Sequence, residues 1–178
     1  MKERSNLFPN PRFSLTGTPP KWTSSSMRHS DLNGVPRLVM EHVSTGADIC
    51  MWPVKLDPGA YHFQVVTWHE KPCRGCIIWG SSNPDNGTIV LLDDGVKDTR
   101  NAVTQSCDFT VTADMPWILI GFTTGQTGTV GQQDAVYWHP LLEAKSTYDM
   151  VANSGGGGVF PCTSTGIRSR SKRSGVVA

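Results

Sequence analysis

The turn Asp57-Pro58-Gly59 and the eight residues from Tyr61 onward constrain the fold more than any other part of the chain. Proline presets φ for a turn, and glycine is able to accept a positive φ. Tyr61, Phe63, Val65 and Thr67 then alternate with His62, Gln64, Val66 and Trp68. A period of two gives a β-strand with two chemically different faces. Short apolar or alternating runs recur at residues 37–43, 49–56, 76–79, 89–92, 107–111, 117–122 and 135–142. Turn signals punctuate them at Asp31-Leu32-Asn33-Gly34, residues 81–87, Asp93-Asp94-Gly95 and residues 121–131. Residues 6–13 form an apolar run broken by Pro9 and Pro11, which reads as an edge strand or the beginning of one. Trp22 opens the next strand. No segment sustains a 3.6-residue period, and no repeat of 20–50 residues is present. The expectation is all-β: a jelly-roll β-sandwich of eight to ten antiparallel strands.

Composition narrows the function classes. A chain of 178 residues makes one ordinary domain with room for a short appendage. Sixteen Lys and Arg against fifteen Asp and Glu leave a net charge of +1, which argues against a globally basic nucleic-acid binder and against an acidic disordered chain. Only 17% of residues are charged, while 18 Gly, 12 Pro and six Trp favour a β-rich domain with tight loops over a helical bundle. No apolar stretch follows the first six residues as in a secretory leader, and no window approaches the ~18 apolar residues of a membrane span. A protein made in a cytosol, with no membrane partner, is expected. Five cysteines, an odd number, argue against a disulfide framework.

The composition changes after Tyr148. The boundary is set at residue 150, with the sandwich at 1–150 and a C-terminal arm at 151–178. Ser154 and the four glycines behind it form a flexible hinge. Phe160 lies in a small apolar patch, and Arg168, Arg170, Lys172 and Arg173 place four positive charges in six residues. Such a segment cannot bury a core of its own. It reads as an arm that reaches for a neighbouring subunit, though phosphates of passing DNA or plain solvent remain open for it.

Four segments together resemble a known family. Asn6-Leu7-Phe8-Pro9-Asn10-Pro11 with Phe13 and then Trp22 resembles the opening of carbohydrate-binding-module-like, or galactose-binding-like, jelly rolls. That opening recurs in minor tail and other virion proteins of tailed bacteriophages. Val54 to Phe63 resembles the family's Pro-Gly turn and the strand after it. Trp117 to Phe122 and Val136 to Glu143 resemble its two late strands. The pieces keep their order over residues 6–148. The resemblance implies a β-sandwich of that kind and leaves function to be argued from sites. One departure is His139-Pro140, where many relatives carry an acidic residue beside the strand, which puts a metal or sugar contact there in doubt.

Candidate chemistry is sparse. Cys73 and Cys76 have CxxC spacing, but they precede a strand-like run instead of opening a helix, and no second motif supplies two more zinc ligands. A hairpin with two reduced thiols is the preferred reading, with no cofactor and no metal. The carboxylates and amides near Asp85 and Asp93 supply oxygens but no recognised calcium loop. No nucleophile elbow, zincin motif, P-loop or dinucleotide fingerprint occurs, and nothing pairs Glu41, Glu70 or Glu143 as a glycosidase would need, so no enzyme is expected and no catalytic residue is named. Trp52, Trp68 and Trp79 could stack on sugar rings, and Trp68 shares its strand face with His62 and Gln64. A mixed face carrying an aromatic suits a glycan and equally suits a protein partner. The primary expectation is a non-enzymatic bacteriophage virion protein, a minor tail protein or a capsid decoration protein, made in the host cytoplasm. Its sandwich would be displayed on the particle and its arm anchored to capsid or tail subunits, with no nucleic-acid partner expected. The alternative is a carbohydrate-binding module for host surface glycans.

Overall fold

The computed structural model describes residues 5–23, 26–43, 48–70, 74–85, 89–93, 101–124 and 133–153. They form β1 (Trp22–Thr23), β2 (Ser26–Leu32), β3 (Val35–Glu41), β4 (Ile49–Lys55) and β5 (Gly59–His69). After these come β6 (Cys76–Ser81), β7 (Ile89–Asp93), β8 (Val103–Val111), β9 (Trp117–Thr123), β10 (Gln133–Ala144) and α1 (Lys145–Asn153). The strands build two antiparallel five-stranded sheets, ordered β1-β4-β9-β6-β7 and β2-β3-β10-β5-β8. The jelly-roll sandwich expected from the alternating runs is the observed architecture. No helix among the described residues is long and apolar enough to cross a membrane.

Strand alternation decides what lies between the sheets. On β5, Tyr61, Phe63 and Val65 point inward, as do Cys50, Trp52 and Val54 on β4 and Ile118, Ile120 and Phe122 on β9. The centre is aromatic. Phe8, Phe13, Trp52 and Phe122 sit with ring centroids 5.5–6.0 Å apart and mostly edge-on, the arrangement that ring quadrupoles favour. At the other end of the interior the chemistry turns polar. Tyr137 Oη donates to Thr123 O at 2.5 Å, Thr67 Oγ1 and His69 Nε2 lie 2.6 Å apart, and the Asp48 amide donates to Thr124 Oγ1 at 2.8 Å.

Two of the four central rings come from outside any strand. Residues 6–13 are not the strand that their apolar run suggested. They form turns, with Phe13 at φ 44°. Two prolines deny the segment a ladder; beyond one backbone bond to β10, from the Leu7 amide to Leu142 O at 2.7 Å, it is tied down through side chains. Asn6 Nδ2 donates to Pro140 O at 2.7 Å, and Asn6 Oδ1 accepts from the Leu142 and Phe8 amides at 3.0 Å each. β10 needs this, because its pairing with β5 shifts between Trp138 and Leu141, where His139 takes φ 54° and Pro140 has no N–H. The Asn6 side chain thus serves backbone groups that a neighbouring strand would otherwise bond. Asn10 braces the next loop, accepting from the Ser14 amide at 2.9 Å and donating to Ser14 O. Gly17 is packed against it so closely that a Cβ would lie 2.3 Å from Asn10 Oδ1.

Helix α1 is the second departure, since no helical segment was expected. Its nine residues pack on β5 and β10. The Tyr148 ring stacks on His62 with centroids 3.5 Å apart, and the Lys145 ammonium binds both Asp149 and Asp108. The expected boundary at residue 150 therefore falls inside a helix that runs to Asn153. Phe160, Arg168, Arg170, Lys172 and Arg173, which carry the expected anchoring arm, lie outside the described residues, as does Cys73.

Candidate functional site

The tryptophans picked out by sequence go to three different places. Trp52 is fully buried in the aromatic core, and its Nε1 donates to Thr18 O at 2.8 Å. It presents no face to a ligand, and its expected role in glycan or partner binding is withdrawn on that ground. Trp79 lies half-buried on the outer face of the β1-β4-β9-β6-β7 sheet. It rests on Gly121, where a Cβ would come within 2.7 Å of its Cζ3. Trp68 lies half-buried on the outer face of the opposite sheet.

His62 and Gln64 share the Trp68 face by strand alternation, but His62 is not open. It is 5% exposed beneath Tyr148, and its Nδ1 donates to Asp108 Oδ1 at 2.6 Å. Asp108 is held below the ordinary carboxylate range, first by that hydrogen bond and then by Lys145. His62 therefore holds α1 down and is excluded as a ligand contact. Gln64 remains half-buried on the face.

The register supplies a residue that the sequence reading missed. Trp138 pairs with Val66, and Val136 pairs with Trp68. Trp68 and Trp138 are therefore diagonal neighbours on one face, roughly 7–8 Å apart at this kind of position. Arg37 holds its guanidinium 4.8 Å from the centre of the Trp138 ring. Its Nε is buried and makes no hydrogen bond among the described residues. A buried N–H without an acceptor costs on the order of 1–3 kcal/mol and is relieved by an incoming oxygen. Arg28 Nε pairs with Glu41 Oε1 at 2.9 Å on one flank. Gln64, with Thr104 and Ser106 of β8, lines the other flank in register. The face thus offers two adjacent indoles between rows of hydrogen-bonding groups. Trp138 alone gave no sign of its partner, because the step at His139-Pro140 hides the pairing from any count along the sequence.

Among the described residues no three His, Cys, Asp or Glu side chains converge to hold a metal ion. Cys76 is buried in the core, and burial pushes the Cys50 thiol far above its ordinary range, so Cys50 is not a reactive thiolate.

No protein-family model matches the sequence, and no curated protein matches it. Solved structures do match. TmCBM61, solved in complex with β-1,4-galactotriose, is 15% identical, with a TM-score of 0.53, over 79% of this chain and 99% of that one. A family 22 carbohydrate-binding module of Clostridium thermocellum Xyn10B is 10% identical, with a TM-score of 0.53, over 80% of this chain and 93% of that one. The fold is that of the carbohydrate-binding-module jelly rolls. The enzymatically active domain of bacteriophage CBA120 tailspike protein 4 also matches, at 14% identity and a TM-score of 0.51. There the match covers 78% of this chain and spans about a fifth (21%) of the tailspike chain.

His139 gives this region of the carbohydrate-module fold a pH dependence. Burial, and next the Arg37 charge, lower its pKa from the ordinary 6.5. The unfolded chain then binds the proton first as pH falls, so stability is full above about 6.5 and declines below it. His139→Asn, which tolerates the positive φ, should flatten that decline. Denaturation midpoints at pH 7.5 and 5.5 for the two proteins measure it, and equal losses in both would exclude His139 as the source.

Proposed function

We propose that this protein is a non-catalytic carbohydrate-binding module whose glycan platform is the Trp68–Trp138 face. The observation that carries this reading is the pair of adjacent, half-exposed indoles with the unsatisfied Nε of Arg37 beside them. An indole presents a flat apolar surface to the C–H face of a pyranose, and the flanking side chains meet its hydroxyls. The fold shared with glycan-binding modules supports the reading without assigning a sugar. Host surface glycans are the proposed ligands. Isothermal titration with soluble xylo-, gluco-, galacto- and manno-oligosaccharides tests it. Saturable binding to at least one series is expected, and no heat from any of them would count against the platform.

A second reading has one observation in its favour, a similar fold in about a fifth (21%) of the tailspike chain. Under it the protein is a virion component, a minor tail or capsid decoration protein, with capsid or tail subunits as partners. Residues 155–178 then act as the anchor. Removing them should leave a folded domain that no longer joins particles, and full incorporation of the truncated chain would end that reading.

A further inference from the structure

The outer face of the other sheet carries a feature that the glycan platform does not use. Trp22 of β1, Met51 of β4 and Leu119 of β9 form one side of a groove, and Ser81, Asn83, Pro84 and Asp85 close the other. The cavity is about 190 Å³. That is below the roughly 300–1,000 Å³ of a pocket for a drug-sized ligand and leaves room for a single ring.

The sequence builds this groove for local reasons. Trp22 pairs with Met51 across β1 and β4, which sets the indole beside the thioether. Ser81 ends β6 and turns the chain, its hydroxyl donating to Asn83 O at 2.5 Å. Asn83 Oδ1 accepts from the Asp85 amide at 2.7 Å, fixing the Asn83-Pro84-Asp85 corner. The Asp85 carboxylate then meets the Lys21 ammonium, which also stands 5.0 Å from the centre of the Trp22 ring. An apolar floor, an indole wall and a rim of carboxylate and amide thus surround one small space, with the Lys21 ammonium paired to that carboxylate from outside the lining.

We propose that this groove is a second glycan site, taking one neutral pyranose residue. The rim decides the chemistry. A hydrocarbon side chain entering here would strip water from the Lys21–Asp85 pair and return no hydrogen bonds, which is costly for ionised groups. A sugar hydroxyl both donates and accepts. Vicinal hydroxyls can bond the Asp85 carboxylate and the Asn83 side chain together while the C–H face lies on Trp22 and Met51. The ligand class rests on the glycan reading given above. The site itself does not, because it lies on the opposite sheet and shares no residue with the Trp68–Trp138 face. Two sites on opposite faces would let one chain bridge two glycan strands, where avidity multiplies weak single contacts.

The test uses the full chain labelled with ¹⁵N and the indole N–H resonances of its tryptophans, assigned by single Trp→Phe variants. The probes are the methyl pyranosides of glucose, galactose, mannose and xylose. At least one should shift the Trp22 resonance saturably, with a millimolar midpoint. The shift should survive in the Trp68→Ala/Trp138→Ala double variant and weaken about tenfold in Asp85→Asn. A Trp22 resonance unmoved by all four probes, while Trp68 or Trp138 moves, would overturn the second site and leave the platform standing. Stillness of all three would overturn both. A Trp22 shift produced by cyclohexanol and by no pyranoside would identify a pocket for an aliphatic side chain, and would also overturn the proposal.

Discussion

Phe8→Ala should cost about 3–5 kcal/mol, the range for removing a buried phenylalanine from a packed core. Phe8 is 2% exposed and lies within 5.6–6.2 Å, centre to centre, of Phe13, Trp52, Phe63 and Phe122. Those neighbours belong to the N-terminal segment, β4, β5 and β9, so the cavity would open between the two sheets where neither can close over it. The loss is a large share of the roughly 5–15 kcal/mol that holds a domain together. A fall in melting temperature of roughly 10 °C or more follows for a chain of this size. Leu15, at 84% exposed, supplies the control, because Leu15→Ala should change stability by no more than about 0.5 kcal/mol. Urea titration of the three proteins decides the matter. Equal midpoints for Phe8→Ala and the parent would mean that the N-terminal segment is ornamental to the core.

The second large effect concerns binding. On the glycan reading, Trp138→Ala removes an indole that already carries the Arg37 guanidinium on its ring. Aromatic anchors of this kind typically account for 2 kcal/mol or more of an interface. Affinity for the best oligosaccharide should fall by about thirtyfold, and Trp68→Ala should fall by a similar factor. Both rings are half-exposed, so unfolding midpoints should move far less than for Phe8→Ala. Trp52→Phe separates packing from recognition. It should lower stability while leaving affinity alone, because its ring is sealed inside. Unchanged affinity in both Trp68→Ala and Trp138→Ala would remove the platform from consideration.

Much of the sandwich can be read from the chain, and the exceptions have physical causes. β5 declares itself through strict alternation behind a Pro-Gly turn and β4 through one buried face, while β6 and β9, buried on nearly every residue, show continuous apolar runs. β2 does not, since Ser-Met-Arg-His-Ser-Asp-Leu is an edge strand with one neighbour and little to bury. α1 is hidden because nine largely polar residues are held by one stacked ring and a few charges rather than by an apolar stripe. Phe8 and Phe13 look like strand residues because their burial is a tertiary fact, made possible by Asn6 and Asn10 bonding a turn-rich loop. For the candidate site, Trp68 and Gln64 are visible as a mixed face. Trp138 and Arg37 join them only through cross-strand register, which a bulge displaces. Trp52 misleads in the opposite direction, since its outward neighbours Met51 and Pro53 are as apolar as the inward Cys50 and Val54, and the strand's sequence does not mark which face is inside.

The clasp of Asn6 on Pro140 and Leu142 spans more than 130 positions. During synthesis Phe8 and Phe13 leave the ribosome early, yet the strand that locks them in place emerges far later. Until then two aromatic rings have no finished cavity to enter, and a nascent chain in that state is sticky. Productive maturation should therefore be a late, nearly all-at-once event, slow in the manner of folds dominated by distant contacts. Nascent chains arrested before residue 144 should consequently need a chaperone to remain in solution.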